Sequence, residues 1–291
     1  MVAALTLDLK NSQKYDYKKR ADIQKYLIDI VDILNHVFQP SLLRDLRFNG
    51  GDEMQGLFKD PENAFLCLRL FHRSMHNIPF HAGIGIGEWT TVIDDKDTFY
   101  QDGTAYHRAR RAIDLSKKEK EYTAVICSET NRDPILNAML NSCFQLANKS
   151  ITSQKALILL LELCYPIQAL TPMNTGLLDN LLSVVSGSYT GVQNIVLSEN
   201  IETYNDIIEQ YQLWDKSDSD LEYNNTSHNL IFPDAHPFGA AKRLAEISGS
   251  TRQNIDKALH TSNVYTERAL ALALLSELRS FSSDIMPDKE A

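Results

Sequence analysis

The sequence is poor in the residues that mark secreted, metal-clustered or membrane-spanning chains. It has four cysteines, Cys67, Cys127, Cys143 and Cys164, with no CxxC pair and no Cys/His cluster. That excludes a disulfide framework and a structural zinc site, and the thiols read as reduced and buried. Long apolar runs are missing. The longest, Ala156 to Cys164, is about half a membrane helix and is interrupted by Glu162. A signal-peptide pattern is also missing, because the opening apolar stretch is short and is broken by Asp8. There is no excess of basic charge. The 29 Lys and Arg stand against 38 Asp and Glu, a net charge of −9, so the whole molecule is not an indiscriminate polyanion binder, although a local basic face remains open to it. These absences lead us to expect a soluble cytoplasmic protein with no membrane partner.

What is present is ordinary globular material, 43% hydrophobic and 23% charged, in a chain of 291 residues that predicts two or three domains. Residues 2–8 read as a buried strand, followed by a polar turn at 10–13. Apolar residues recur at helical spacing from about 18 to 38, where Pro40 stops the helix. Residues 43–48 and 54–58 flank Asn49-Gly-Gly-Asp-Glu53, whose Asn-Gly and Gly-Gly steps suit a tight hairpin turn. Asp60-Pro61 is a helix start. Phe80-His-Ala-Gly-Ile-Gly-Ile-Gly87 is a strand with close backbone approach on one face, and residues 88–93 can return as its hairpin partner. A basic helix over 105–118 and a strand over 123–128 follow. Strands and helices mixed in this way predict an α+β fold, with an antiparallel sheet of the ferredoxin-like or palm kind ending near residue 130.

The remainder predicts helices. Ser186-Gly-Ser188 with Gln193-Asn194-Ile195 and Tyr204 is loosely repeated by Ser248-Gly-Ser250 with Gln253-Asn254-Ile255 and Tyr265. An acidic stretch from Trp214 to Asn225 separates the copies. We therefore expect a domain over 1–130, a helical domain with a degenerate helix-turn-helix over 131–225, and a helix-turn-helix over 226–291. In the second copy Thr251 or Ser250 caps the second helix, which offers Thr251, Arg252, Gln253 and Lys257 to duplex DNA through residues 240–260. Packing or dimerisation is the plainer reading of such a helical pair.

Two constellations could carry chemistry. Asp8 ends the first strand, and Asp52 and Glu53 sit at the hairpin. Carboxylates on neighbouring strands are suited to Mg²⁺ or Mn²⁺, hard cations that also grip the phosphates of a nucleoside triphosphate. Taken singly, each acid could equally cap a strand or complete a turn. The second constellation is Gly103-Thr-Ala-Tyr-His-Arg-Ala-Arg-Arg111, where Arg108, Arg111 and His107 offer forked phosphate contacts, or only a solvated helix face. His72 and His76 have a possible metal spacing but no third ligand.

At these residues the stretch 2–128 resembles class III nucleotidyl cyclase domains, with kinship to the GGDEF diguanylate cyclases. Asn49-Gly-Gly-Asp-Glu-Met54 is close to the GGDEF signature, and His81-Ala-Gly-Ile-Gly-Ile-Gly-Glu88 is similar to a cyclase strand. The resemblance implies that Asp8 and Asp52 hold two metals, that Lys10, Ser12 and the turn around them sit by the phosphates, and that Arg111 steadies charge on the reacting phosphate, from a second subunit of a homodimer. His107 stands where that family has asparagine, and Phe48 and Tyr100 where adenylyl cyclases have their base-reading lysine and aspartate. A different base, a different product or a retired site fits those changes. Over most of its length the chain resembles the SatD family, a cyclase-like domain preceding a helix-turn-helix.

Overall fold

The computed structural model describes residues 1–49, 51–75, 77–93, 97–186 and 232–283. Strand β1 (Val2–Leu9) sets the layering. Its odd positions Ala3, Leu5, Leu7 and Leu9 are buried in the main core, while Ala4 packs in a second cluster on the other face, as a two-residue period requires. Helix α1 (Tyr17–Phe38) starts at Asp16, whose carboxylate accepts the Lys19 N–H at 2.9 Å, and it ends before Pro40. It adds Ile23, Leu27, Ile30 and Leu34 to the same core as the odd face of β1. Strands β2 (Leu42–Phe48) and β3 (Glu53–Phe58) form the expected hairpin. Helix α2 (Pro61–Met75) follows an Asp60 cap that accepts the Asn63 N–H at 2.8 Å.

Strand β4 (Phe80–Gly87), helix α3 (Thr104–Lys118) and strand β5 (Ala124–Cys127) complete a five-stranded sheet in the order β2-β3-β1-β4-β5. The result is a mixed α+β architecture with a helical C-terminal region. β1 pairs antiparallel with β3 and β4, but β5 pairs parallel with β4. The sheet is therefore not antiparallel throughout. A helix crossover returns the chain to its starting edge and delivers the next strand in the same direction. The glycines of β4 make that crossover tight: a Cβ on Gly85 would lie 2.1 Å from both Ala105 O and Ala109 N, so α3 rests directly on the strand backbone.

Residues 88–93 do not form the expected partner strand. Both edges of β4 are taken, by β1 and β5, and Thr91 makes only an isolated bridge to Asp102.

The described helices that follow are α4 (Asp133–Asn148), α5 (Thr152–Cys164), α6 (Leu178–Ser186), α7 (Ala240–Ser248), α8 (Arg252–Thr261) and α9 (Val264–Ser283). They continue the main core, which runs from Ala3 to Phe281. Helices α1 and α9 and strands β1, β3 and β4 close around α2, so that all 15 of its residues are buried. Its arginines meet buried carboxylates. Arg69 forms forked bonds to Glu162 on α5 and to Glu267 on α9, Arg73 reaches Glu267 at 2.6 Å, and Arg268 reaches Glu162 at 2.9 Å. Burying these ions is costly, and the forked geometry is what offsets the lost hydration. The earlier repeat copy, with Gln193, Asn194, Ile195 and Tyr204, and the acidic stretch after it lie outside the described residues.

Candidate functional site

The C-terminus of β1 and the β2–β3 hairpin meet at one end of the sheet. After β1, Asn11 takes a left-handed conformation (φ 57°) and the backbone winds through a 3-10 turn at Ser12–Lys14 before α1 begins. This tight path leaves a cavity of about 320 Å³ between the turn, the first turns of α1 and the hairpin. Asp52, Ser12 and Phe48 line it, with Gly51, Tyr15, Tyr17, Arg20 and Gln24. The volume is in the range of small-ligand sites. Three residues expected from the sequence thus meet here. Arg20, Tyr15 and Gln24 were not expected. On the sequence, Arg20 and Gln24 are ordinary polar positions of a helix face; their i, i+4 spacing on α1 was the available signal.

Asp8 faces the other side of the sheet. It stands directly opposite Glu53 on β3 and His81 on β4, so those side chains share its face. Lys117, near the end of α3, places its ammonium 2.7 Å from Asp8 Oδ2. His81 Nδ1 lies 3.2 Å from Ser116 Oγ, and burial, followed by the charges of Lys10 and Lys117, pushes its pKa down to about 4. Lys10 is itself held below the ordinary lysine range by burial. Asp8, Asp52 and Glu53 therefore occupy one end of the sheet, but Asp52 lines the cavity on the α1 side while Asp8 and Glu53 lie toward α3. Among the described residues no group of three or more His, Cys, Asp or Glu side chains is gathered closely enough to hold a metal. The carboxylates of Asp8 and Glu53 suit a hard divalent cation as oxygen donors, and Lys117 supplies the positive charge beside Asp8.

The basic helix carries a separate cluster. Arg108 and Arg111 both bind Glu129, which follows β5, at 3.1 and 2.9 Å, and Arg108 also donates to Ile86 O at 2.7 Å. These guanidiniums hold the Glu129 carboxyl below the ordinary range. His107 Nε2 lies 3.0 Å from Asp102. α3 runs antiparallel to β4, with Thr104 over Gly87 and Ser116 by His81. Arg108 and Glu129 consequently sit toward the opposite end of β4 from Asp8, and one chain does not bring Arg111 or His107 to Asp8 and Asp52. Tyr100 is 60% exposed on a 3-10 turn that packs against β2 and β3. Gln55 anchors that turn from the α3 face, so Tyr100 does not share the cavity with Phe48.

At the C-terminal end, α7 and α8 are joined through Gly249 (φ 64°), a left-handed turn that favours glycine, and Thr251 caps α8 by accepting the Asn254 N–H. Ile255 and Leu259 are buried, whereas Thr251, Arg252, Gln253 and Lys257 are exposed on the outer side. Gln154 at the start of α5 ties α8 down by donating to Thr261 Oγ1 at 2.9 Å.

Among the described residues no helix is long and apolar enough to cross a membrane. No curated protein and no solved structure matches the chain. Residues 2–166, which take in the whole sheet and α1 to α5, match the model of the SatD family. With more than half of its length matched, the chain belongs to the SatD family.

Proposed function

We propose that this chain is a cytoplasmic nucleotide-responsive regulator that takes a nucleoside triphosphate in its sheet half and contacts duplex DNA through its C-terminal helices. The observation that carries the reading is the cavity of about 320 Å³ bounded by Ser12, Arg20, Phe48 and Asp52. An aromatic wall at Phe48 and Tyr15 suits a base, and Arg20 with the turn at Ser12 suits phosphate oxygens. The strand order β2-β3-β1-β4, with α1 and α2 as connections, supports a ferredoxin-like palm of the cyclase and GGDEF kind. Asp52, in the cavity wall, is the oxygen donor on the nucleotide side for Mg²⁺ or Mn²⁺, which would neutralise phosphate charge, while Asp8 and Glu53 lie across the sheet toward α3. The pair α7 and α8 supports a helix-turn-helix whose exposed Arg252 and Gln253 would read base edges while Lys257 meets phosphate.

A catalytic reading, nucleotide cyclisation, rests on the separation of the two clusters. Arg111 and His107 lie away from Asp8 in one chain, so they could act only across a homodimer in which a second copy brings them to the aspartates. Lys117 beside Asp8, and Arg108 and Arg111 committed to Glu129, favour binding over turnover in the single chain.

Two measurements test these readings. With Mg²⁺ or Mn²⁺ present, titration calorimetry across the nucleoside triphosphates is expected to find one that binds, and Arg20→Ala and Asp52→Ala to weaken it by about tenfold or more, as loss of a charged contact does. The nucleotide reading fails if none binds. Pyrophosphate release that disappears in Asp52→Ala would establish turnover. Separately, Arg252→Ala and Lys257→Ala should each weaken a salt-sensitive complex with duplex DNA, and Lys257→Ala should lower the salt slope by about one. Absence of any complex at low salt would sink the DNA reading.

A further inference from the structure

Helix α2 ends in a polar corner that the nucleotide reading does not use. His72 and Arg73 there face Asn148 at the end of α4 and Lys155 on α5 across a cavity of about 10 Å³. A single water-sized particle needs roughly 10–15 Å³, so the space is on the scale of one small particle.

Among the described residues, charge in this corner is not balanced. Among the described residues, the buried network sets the guanidiniums of Arg69, Arg73 and Arg268 against the two carboxylates of Glu162 and Glu267. Arg73 gives one N–H to Glu267, but its Nε is buried and has no acceptor among the described residues. Lys155 adds a second cation, and it donates to a neutral group, Asn77 Oδ1, at 2.9 Å. His72, stacked on Phe144 and bonded to Asn148 at 3.0 Å, is kept neutral: burial first, then the Arg73 charge, push its pKa down to about 3. Among the described residues no carboxylate lines the cavity.

We infer that this corner is a binding site for a small inorganic monoanion of about the size of chloride, held between Arg73 and Lys155. A water molecule would satisfy the Arg73 Nε–H but would leave the excess positive charge in place; an anion does both. Lys155 directly follows Gln154, which holds α8 through Thr261. The anion therefore braces α2, α4 and α5 at the point where α5 supports the proposed DNA-facing helix.

The test uses the full chain. Thermal unfolding is followed while chloride replaces gluconate at constant ionic strength. A saturable rise in Tm of about 3–5 °C is expected as the site fills, with bromide acting in the same way. Lys155→Met, which keeps the apolar stem and removes the charge, should lose most of that rise. Crystals of the unaltered chain grown in bromide should show an anomalous-scattering peak between Arg73 and Lys155, a result that does not depend on the variant. Equal Tm in chloride and gluconate, an undiminished response in Lys155→Met, or bromide absent from that corner and a water in its place would each overturn the assignment.

Discussion

Glu162→Gln is expected to cost about 3–5 kcal/mol of unfolding free energy, measured by urea titration. Glu162 is only 2% exposed, and both of its oxygens are occupied by Arg69 while Arg268 approaches at 2.9 Å. The amide keeps the shape and removes the charge, leaving three buried guanidiniums facing Glu267 alone. Burial raises the Glu162 pKa, but Arg268 and Arg69 outweigh it and hold the carboxyl below the ordinary range. Its stabilisation is therefore complete above the unfolded glutamate pKa of about 4.3 and is lost as pH falls through the depressed folded value. The Gln variant should show a shallower loss of stability in acid. As a reference, Asp45→Asn breaks only the exposed pair with Arg47 and should cost about 0.5 kcal/mol or less. Equal losses in the two variants would show that the network contributes no more than a surface pair.

The second large effect is expected from Gly85→Ala, with Tm falling by about 6–12 °C, the equivalent of about 3 kcal/mol. The added methyl would meet Ala105 O and Ala109 N, and backbone cannot rotate away as a flexible side chain could. Helix α3 must lift from β4, which also disturbs Lys117 beside Asp8 and the contact of Arg108 with Ile86. Gly176→Ala has open space around its Cβ and should leave Tm almost unchanged. If Gly85→Ala is equally silent, α3 does not rest on β4 as described.

The β4 glycines show how much local chemistry can be read directly from the chain. Alternating glycines in Phe80–Gly87 announce close approach on one face, and α3 occupies it. The Asp60-Pro61 helix start and the stop at Pro40 are equally local, since caps and missing N–H groups act within one turn. Residues 88–93 were not legible in this way. Their composition suits a strand, but whether a strand forms depends on a free edge, and β5 had already taken it. The same holds for the candidate site. Asp8, Asp52 and Glu53 were identifiable as acids near one hairpin, but alternation and register sent Asp52 to the cavity and Asp8 toward Lys117. Arg20 and Tyr15 carried no motif, and only the path of the turn at Ser12–Lys14 made them wall residues.

Local residue patterns are enough for the elements: the period-two strand at the start, the capped helices, the glycine-bearing strand, and the Gly249 turn before an exposed polar helix. These follow from forces that act over a few residues. Packing across the chain sets the rest: α2 is buried along its length, Arg69, Arg73, Glu162, Glu267 and Arg268 meet there, and the Arg111 cluster stands apart from Asp8. Those outcomes depend on pairs separated by as many as 198 positions in the chain, and no local pattern encodes which distant charges will share one dry interior.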